Sequence, residues 1–294
     1  MTILITGVTG FLGSYLLHMF KEQGHTVIGI KRTTSNTYRI DDIVNNCILY
    51  DGDVTALEDI YKEHIFDIVI NTVTAYGRKD NSIATIIETN LLFGLKLLEL
   101  SVKHNINAFI NTDTLLDRNI NTYALSKAQL VDWMKYFSQI STTKIINIKI
   151  EHMYGLLDDE NKFIYWLINQ LKQNVKEIDL TSGIQKRDFI YISDIVKAYE
   201  NIVENINVFN TYEEFELGTG KSIEVKKFIE LITRKLNKEH TVNTQLNFGA
   251  IKYREGENMN MCADITNLEK LGWKPVIGFE EGIKKIIDGE RKDD

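Results

Sequence analysis

Thr6-Gly7-Val8-Thr9-Gly10-Phe11-Leu12-Gly13 follows an apolar run at residues 2–6 and opens a segment, Phe11 to Phe20, whose apolar residues recur at helical spacing. The pattern reads as strand, tight loop, helix. Where such a helix begins, its first N–H groups and the positive end of its dipole face outward, which suits a pyrophosphate. Gly7 permits the sharp turn, Gly10 lets the backbone approach a ligand with no Cβ in the way, and Gly13 allows close helix-to-strand contact. The spacing is GxxGxxG rather than GxGxxG. A glycine triplet alone is also compatible with an ordinary loop, and its place between an N-terminal strand and a helix is what favours dinucleotide binding.

Outward from that turn the alternation continues. Strands are expected at Thr26 to Ile30, Asp67 to Ile70, Ala108 to Ile110 and Lys144 to Ile150, and helices at Thr55 to Glu63, Ile83 to Lys103 and Tyr123 to Gln139. Strands that alternate with helices pair in parallel through right-handed crossovers, so the fold class is α/β, a doubly wound parallel sheet. Beyond Gly155 the rhythm loosens: a helix near Phe163 to Gln173, a strand Phe189-Ile190-Tyr191-Ile192 with Ser193 as N-cap of the next helix, and helices near Ile223 to Leu236 and Phe279 to Ile287. The expected division is a dinucleotide domain over residues 1–155, joined by 188–218, and a smaller substrate-binding lobe over 156–187 and 219–294.

With 294 residues and 44% hydrophobic content, the chain can bury a large core. Its net charge of −7 and the lack of a Lys/Arg run argue against nucleic acid. Cys47 and Cys262 lie in neither a CxxC nor a Cys/His spacing, so no metal site is expected. A reducing cytoplasm fits, with no secretion signal or apolar window of bilayer length.

The residues that select the cofactor follow the second strand, where an NAD site would place Asp or Glu against the ribose 2′-hydroxyl. Here stand Lys31-Arg32, and a guanidinium can fork onto a 2′-phosphate, which points to NADPH; a solvated surface arginine is the alternative. Asp53, followed by Val54, either meets the adenine amino group or caps the next helix. In Tyr123-Ala124-Leu125-Ser126-Lys127, the phenol and the ammonium stand four residues apart on one helix face. A phenol of pKa about 10 needs help to exchange protons near neutrality, and a nearby ammonium supplies it. Lys127 is therefore expected to activate Tyr123 and to bind ribose hydroxyls, while Thr114 hydrogen-bonds the substrate oxygen.

The glycine turn, Asp53, Glu88-Thr89-Asn90, the Thr114, Tyr123 and Lys127 set, His152-Met153-Tyr154-Gly155, Arg187-Asp188-Phe189, Ser193-Asp194, Leu217-Gly218-Thr219-Gly220 and Gly272-Trp273-Lys274-Pro275 stand in family order. In these the chain resembles the extended short-chain dehydrogenase/reductases, the NAD-dependent epimerase/dehydratase family, acting on nucleotide sugars through a Rossmann fold. Asn111-Thr112-Asp113-Thr114, Ile150-Glu151-His152-Met153-Tyr154-Gly155 and Tyr253-Arg254-Glu255-Gly256-Glu257 look most like its CDP-abequose and CDP-paratose synthases.

The resemblance implies NADPH-dependent reduction of the C4 ketone of a CDP-linked 3,6-dideoxy-4-keto-hexose, with Thr114, Tyr123 and Lys127 catalytic. It also implies cofactor contacts from Gly7, Thr9, Gly10, Phe11, Leu12, Gly13, Lys31, Arg32, Asp53, Val54, Asn90, Tyr123 and Lys127. Asn90 is expected to steady the helices or a relay water, or else to satisfy its own neighbours. Asp113, Arg187 and Arg254 are the expected substrate contacts, Asp113 on a sugar hydroxyl or turned into a loop, the arginines on the pyrophosphate. A homodimer is implied through the two long helices. Alternatives are a C4 epimerase, a 4,6-dehydratase, which Leu115 disfavours, and a non-catalytic dinucleotide sensor, which the intact Tyr123 and Lys127 pair argues against.

Overall fold

The computed structural model describes residues 1–77, 82–238 and 240–289. Short β-branched runs give the strands β1 (Thr2–Thr6), β2 (Thr26–Lys31), β3 (Ile48–Asp51), β4 (Ile68–Asn71), β5 (Ala108–Thr114) and β6 (Lys144–Ile150). Between them lie α1 (Phe11–Glu22), α2 (Leu57–Glu63), α3 (Ile83–Ile87), α4 (Phe93–Lys103) and α5 (Thr122–Ile140). A π-turn over Glu88–Leu92 joins α3 to α4, so the expected single helix is continuous but locally unwound around Asn90.

The second half holds β7 (His152–Tyr154), α6 (Phe163–Lys172), β8 (Glu177–Leu180), β9 (Lys186–Arg187), β10 (Phe189–Tyr191), α7 (Ile192–Glu204) and β11 (Tyr212–Leu217). It ends with β12 (Ile223–Glu224), α8 (Val225–Leu236), β13 (Gln245–Phe248), α9 (Thr266–Lys270) and α10 (Phe279–Asp288). Two expectations are corrected here. Helix α7 already includes Ile192, so Ser193 lies in its first turn and is not its N-cap, and Ile223–Glu224 pairs with β9 as a strand before α8 begins.

The main sheet runs in the order β11-β6-β5-β4-β1-β2-β3, and the registered pairs from β3 through β6 are parallel. The order reverses between β1 and β4. Crossovers of one hand leaving that point in opposite directions put their helices on opposite faces, and the crevice at the strands' carboxyl ends opens there. On one face, Leu4, Ile28, Val69, Phe109 and Ile145 alternate inward against Leu57 and Ile60 of α2, Leu97 and Leu98 of α4, and Leu130 and Met134 of α5. Among the described residues, no helix is long and apolar enough to cross a membrane.

The chain divides into two compact units, Met1–Ile150 with Tyr199–Phe215, and Glu151–Ala198 with Glu216–Asp294. The second unit starts earlier than expected and holds residues 188–198. Its core is aromatic: Phe189 stacks on Phe228 at 3.9 Å between centroids, and Tyr154 meets Phe189, Tyr191 and Phe228 edge-on. Two buried carboxylates clamp its loops. Asp188 accepts from the backbone N–H of Thr219 (2.8 Å), Gly220 (3.0 Å) and Ala263 (3.3 Å), and Asp194 from those of Val276 (3.1 Å) and Ile277 (2.9 Å).

Candidate active site

At the end of β1, Gly7 takes φ +70° and its N–H donates to the Ile30 carbonyl at 2.8 Å, which ties the turn to β2. A Cβ on Gly13 would lie 2.2 Å from the Gly7 oxygen, so α1 leans on the turn as only glycine permits. Gly10 is exposed, and a Cβ there would meet only the Gly7 oxygen, at 3.1 Å. No side chain caps α1, and its first turn holds no acidic residue. The N-terminus of α1 therefore carries no side-chain cap, and the side chains of Phe11 and Leu12 are turned into the core. That arrangement fits a dinucleotide diphosphate.

The charged residues after β2 and β3 have their own partners. Lys31 forms an ion pair with Asp51 at the strand ends, which leaves Arg32 as the exposed cation of the two. Asp53 caps no helix: one of its oxygens accepts from the Thr33 N–H (2.8 Å) and hydroxyl (3.0 Å), and these bonds hold its carboxyl below the usual range. Val54 is 77% exposed. Sequence reasoning missed Arg39, whose guanidinium lies over the Tyr38 ring and donates to the Thr9 carbonyl of the glycine turn at 3.2 Å. It stands in a polar stretch with no periodicity to mark it.

At the carboxyl end of the sheet, Thr114 closes β5 close enough to the Tyr123 phenol to oppose its upward shift, while Asn121 caps α5 by accepting from the Ala124 N–H at 2.8 Å. Tyr123 is half-buried, and Tyr76 leans on it at 5.3 Å between ring centroids. Tyr76 lies in the loop after β4 and carried no sequence signal. Lys127 is 1% exposed, with its ammonium donating to the carbonyls of Thr112 (2.9 Å) and Val73 (3.3 Å).

The protonation picture departs from the expectation. Burial pushes the Tyr123 phenol up, and Tyr76 and Asp113 add to that push. Burial also pulls Lys127 down to about 8, with Asp113 opposing. The Lys127 ammonium is aimed at the Thr112 and Val73 carbonyls.

Asn90 was grouped with the cofactor contacts, but the structure commits its amide elsewhere. It accepts from the Ala75 N–H (2.7 Å) and donates to the Ala75 carbonyl (2.9 Å) and to Ser126 (3.0 Å), so it ties the π-turn to the loop after β4 and to α5. Asp113 is corrected as a sugar contact. Its carboxylate is buried and bonded to Asn147 Nδ2 at 2.9 Å, because strand alternation turns it under α5. In the second unit Arg187 is buried, paired with Glu257 and donating to the carbonyls of Lys186 and Asn258, whereas Arg254 is exposed. The aromatics of β10 are core. Among the described residues no cluster of His, Cys, Asp or Glu could hold a metal ion.

A Rossmann-type sheet with an uncapped glycine-turn helix and a hydroxyl, phenol and ammonium gathered at its switch point defines an NAD(P)-dependent enzyme of the short-chain dehydrogenase/reductase class. The glycine turn alone would have left that class open. The chain belongs to the NAD dependent epimerase/dehydratase family, whose sequence profile matches residues 3–218. It is 33% identical to a CDP-abequose synthase of Salmonella muenchen, over 97% of this chain and 96% of that one. Identity to the CDP-abequose synthase of Salmonella typhimurium is 29%, over 97% of each. In structure it is similar to a UDP-glucose 4-epimerase of Thermotoga maritima, with a TM-score of 0.85, 21% identity and 98% of each chain covered.

Proposed function

We propose that this enzyme is an NADPH-dependent reductase of the C4 ketone of a nucleotide-linked 4-keto-6-deoxy hexose, a CDP-linked 3,6-dideoxy sugar, in deoxysugar biosynthesis of the lipopolysaccharide O-antigen type. The observation that carries the reading is the Thr114 hydroxyl and the Tyr123 phenol brought together at the carboxyl end of β5, beside a buried ammonium and next to the glycine turn. NADPH, when bound, supplies the hydride. Thr114 holds the ketone oxygen, and Tyr123 releases its proton to that oxygen as the C–H bond forms, so the ketone becomes an alcohol. A phenol raised by burial keeps its proton until the alkoxide develops, which suits a donor.

Lys127 would bind the nicotinamide ribose, and Asn90 holds the loop beneath it. Arg32, with Arg39 behind the turn, would read the 2′-phosphate. Arg254 would meet the substrate diphosphate. The relatives named CDP-abequose synthase support the cytidine nucleotide. A 4,6-dehydratase is disfavoured, since the buried Asp113 cannot protonate a leaving hydroxyl and Leu115 stands where a second acid is needed. The reading extends to a homodimer through the exposed Leu92, Trp133, Tyr136 and Ile140 of the long helices, and to a cytoplasm that keeps Cys47 and Cys262 as thiols.

NADPH consumption against CDP-, dTDP- and GDP-linked 4-keto-6-deoxy sugars tests the proposal. One NADPH oxidised per alcohol formed, fastest with the CDP sugar, is the expected result. Conversion without net NADPH oxidation, or no reaction with any of the three, would overturn it.

A further inference from the structure

Beneath the site runs a row of side chains that the reaction above does not use. Thr6 donates to Asn71 Oδ1 (2.9 Å), Asn71 to Asn111 Oδ1 (3.1 Å), Asn111 to Asn147 Oδ1 (3.0 Å), and Asn147 to Asp113 Oδ2 (2.9 Å) and to Glu214 (3.2 Å). Asn71, Asn111 and Asn147 are direct partners across β4, β5 and β6, so the sheet register sets the row. All three are at most 2% exposed. A buried amide chain in which each donor finds an acceptor polarises and stiffens its members. It starts under the glycine turn, where Thr6 Oγ1 also accepts from the Thr72 N–H, and its far end holds a carboxylate.

That carboxylate is unusual on two counts. Asp113 is 6% exposed, and its Oδ1 is buried with no hydrogen-bond partner. A buried carboxylate oxygen left without a donor needs an opposite charge nearby to remain ionised. Residues 109, 111 and 113 of β5 share the face that meets α5, where Phe109 packs with Leu130 and Met134. One turn before Leu130 on that helix stands Lys127, whose ammonium bonds the Thr112 carbonyl, the group joined to the Asp113 nitrogen. Lys127 has no carboxylate within 4.0 Å in any ion pair found among the described residues, so its charge is likewise buried without direct contact.

We propose that Asp113 is a positioning residue: its buried carboxylate is the counter-charge that keeps the Lys127 ammonium protonated, and the amide row from Thr6 to Asn147 fixes it in place. The inference deepens the reading above and names what maintains the cation at that site. Burial moves both groups toward neutrality, Asp113 up and Lys127 down, and each opposes the shift of the other. The remaining ionisable groups that bear on Asp113 are Tyr123 from α5, Lys149 from β6, Glu214 and Tyr212 from β11, and Tyr199 from α7. Lys149 and Glu214 pair with each other, and the tyrosines are neutral across the range of interest, so Lys127 is the free charge opposite Asp113.

The test is to titrate the Lys127 side chain by NMR in full-length protein carrying 13Cε,15Nζ-lysine, with the resonance assigned by its loss in Lys127→Met. In the wild type its midpoint is expected near 8. In Asp113→Asn it is expected lower by about one pH unit or more, a tenfold change in the proton equilibrium, with Asp113→Glu returning it toward the wild type. The alkaline limb of kcat should move down by the same amount, whereas KM should hold. A reciprocal measurement serves if the Asp113 variants do not fold: the 13Cγ midpoint of Asp113 should rise in Lys127→Met. An unchanged Lys127 midpoint in Asp113→Asn, or an unchanged Asp113 midpoint in Lys127→Met, would overturn the proposal. The titrations need no substrate, so a coupled pair in a protein that reduces no nucleotide sugar would sink the functional reading and leave this one standing.

Discussion

Replacing Gly10 and Gly13 one at a time with alanine separates what the glycine turn does for the fold from what it does for the cofactor. At Gly13 the new Cβ would stand 2.2 Å from the Gly7 oxygen and 2.8 Å from its carbonyl carbon, distances that real Cβ atoms do not adopt. The turn cannot retreat freely, because the Gly7 N–H is bonded to Ile30 at 2.8 Å and its φ of +70° is already in the left-handed region. Overpacking of this kind costs about 1–3 kcal/mol, which lowers Tm by about 2–10 °C in a chain of this size. At Gly10 the new Cβ meets one atom, at 3.1 Å, and otherwise points into open space above the N-terminus of α1. Its effect on stability should stay within about 1 kcal/mol. It would, however, fill the space a diphosphate needs in order to approach the N-terminus of α1. Losing one or two charge-assisted bonds of about 1.5–3 kcal/mol each raises Kd at least tenfold. Urea unfolding and NADPH fluorescence titration read the two effects separately. Gly10→Ala protein that binds NADPH as the wild type does would refute the placement of the diphosphate on this turn, and Gly13→Ala protein that unfolds at the wild-type urea midpoint would refute the close packing of α1 against it.

The other expectations are briefer. Tyr123→Phe should lower kcat by about 10²-fold or more while NADPH Kd changes less than about twofold, measured by steady-state kinetics and fluorescence titration. Arg32→Ala should weaken NADPH binding about tenfold or more and leave NADH binding nearly unchanged; equal losses for both would remove the 2′-phosphate from that residue. The folded-state value of about 8 for Lys127 lies below its ordinary 10.5, so between those values the unfolded chain holds the extra proton and stability rises with pH. Urea midpoints at pH 8 and 10 should therefore favour the wild type over Lys127→Met by about 2 kcal/mol more at the higher pH. Asp194→Ala strands the Val276 and Ile277 N–H groups, and should destabilise the protein by about 2–4 kcal/mol without altering NADPH affinity.

The fold was legible because its signals are local. A strand such as Thr2–Thr6 is an uninterrupted apolar run, since helices cover both faces of its sheet, and each crossover helix shows the 3.6-residue period of one buried stripe. The boundaries that failed are those set by distant partners. Ile223–Glu224 looks like the first turn of a helix until Lys186–Arg187 pairs with it, and Ser193 looks like a cap until β10 hands its last residue straight to α7. The motifs of the second half were found as a resemblance and gained a physical meaning only in three dimensions. Asp188 and Asp194 are clamps on the loops at Thr219 and Val276, some thirty and eighty residues away, which no window along the chain contains.

The site was half legible, and the divide follows the kind of physics involved. A phenol and an ammonium four residues apart on a helix share a face whatever the tertiary structure, so Tyr123 and Lys127 could be paired from spacing alone. The direction of their electrostatic coupling could not, because it depends on what surrounds the ammonium: the Thr112 and Val73 carbonyls hold it, and Asp113 balances it. Asp113 shows the same limit from the other side. In sequence it sits between Thr112 and Thr114 and reads as a sugar contact. In the fold, the two-residue period of β5 sends it under α5 to the end of an amide row that begins at Thr6, on β1, two strands away in the sheet. Burial that leaves little of its carboxylate open to a ligand fits the role proposed above for Asp113, setting the charge of Lys127, better than a sugar contact.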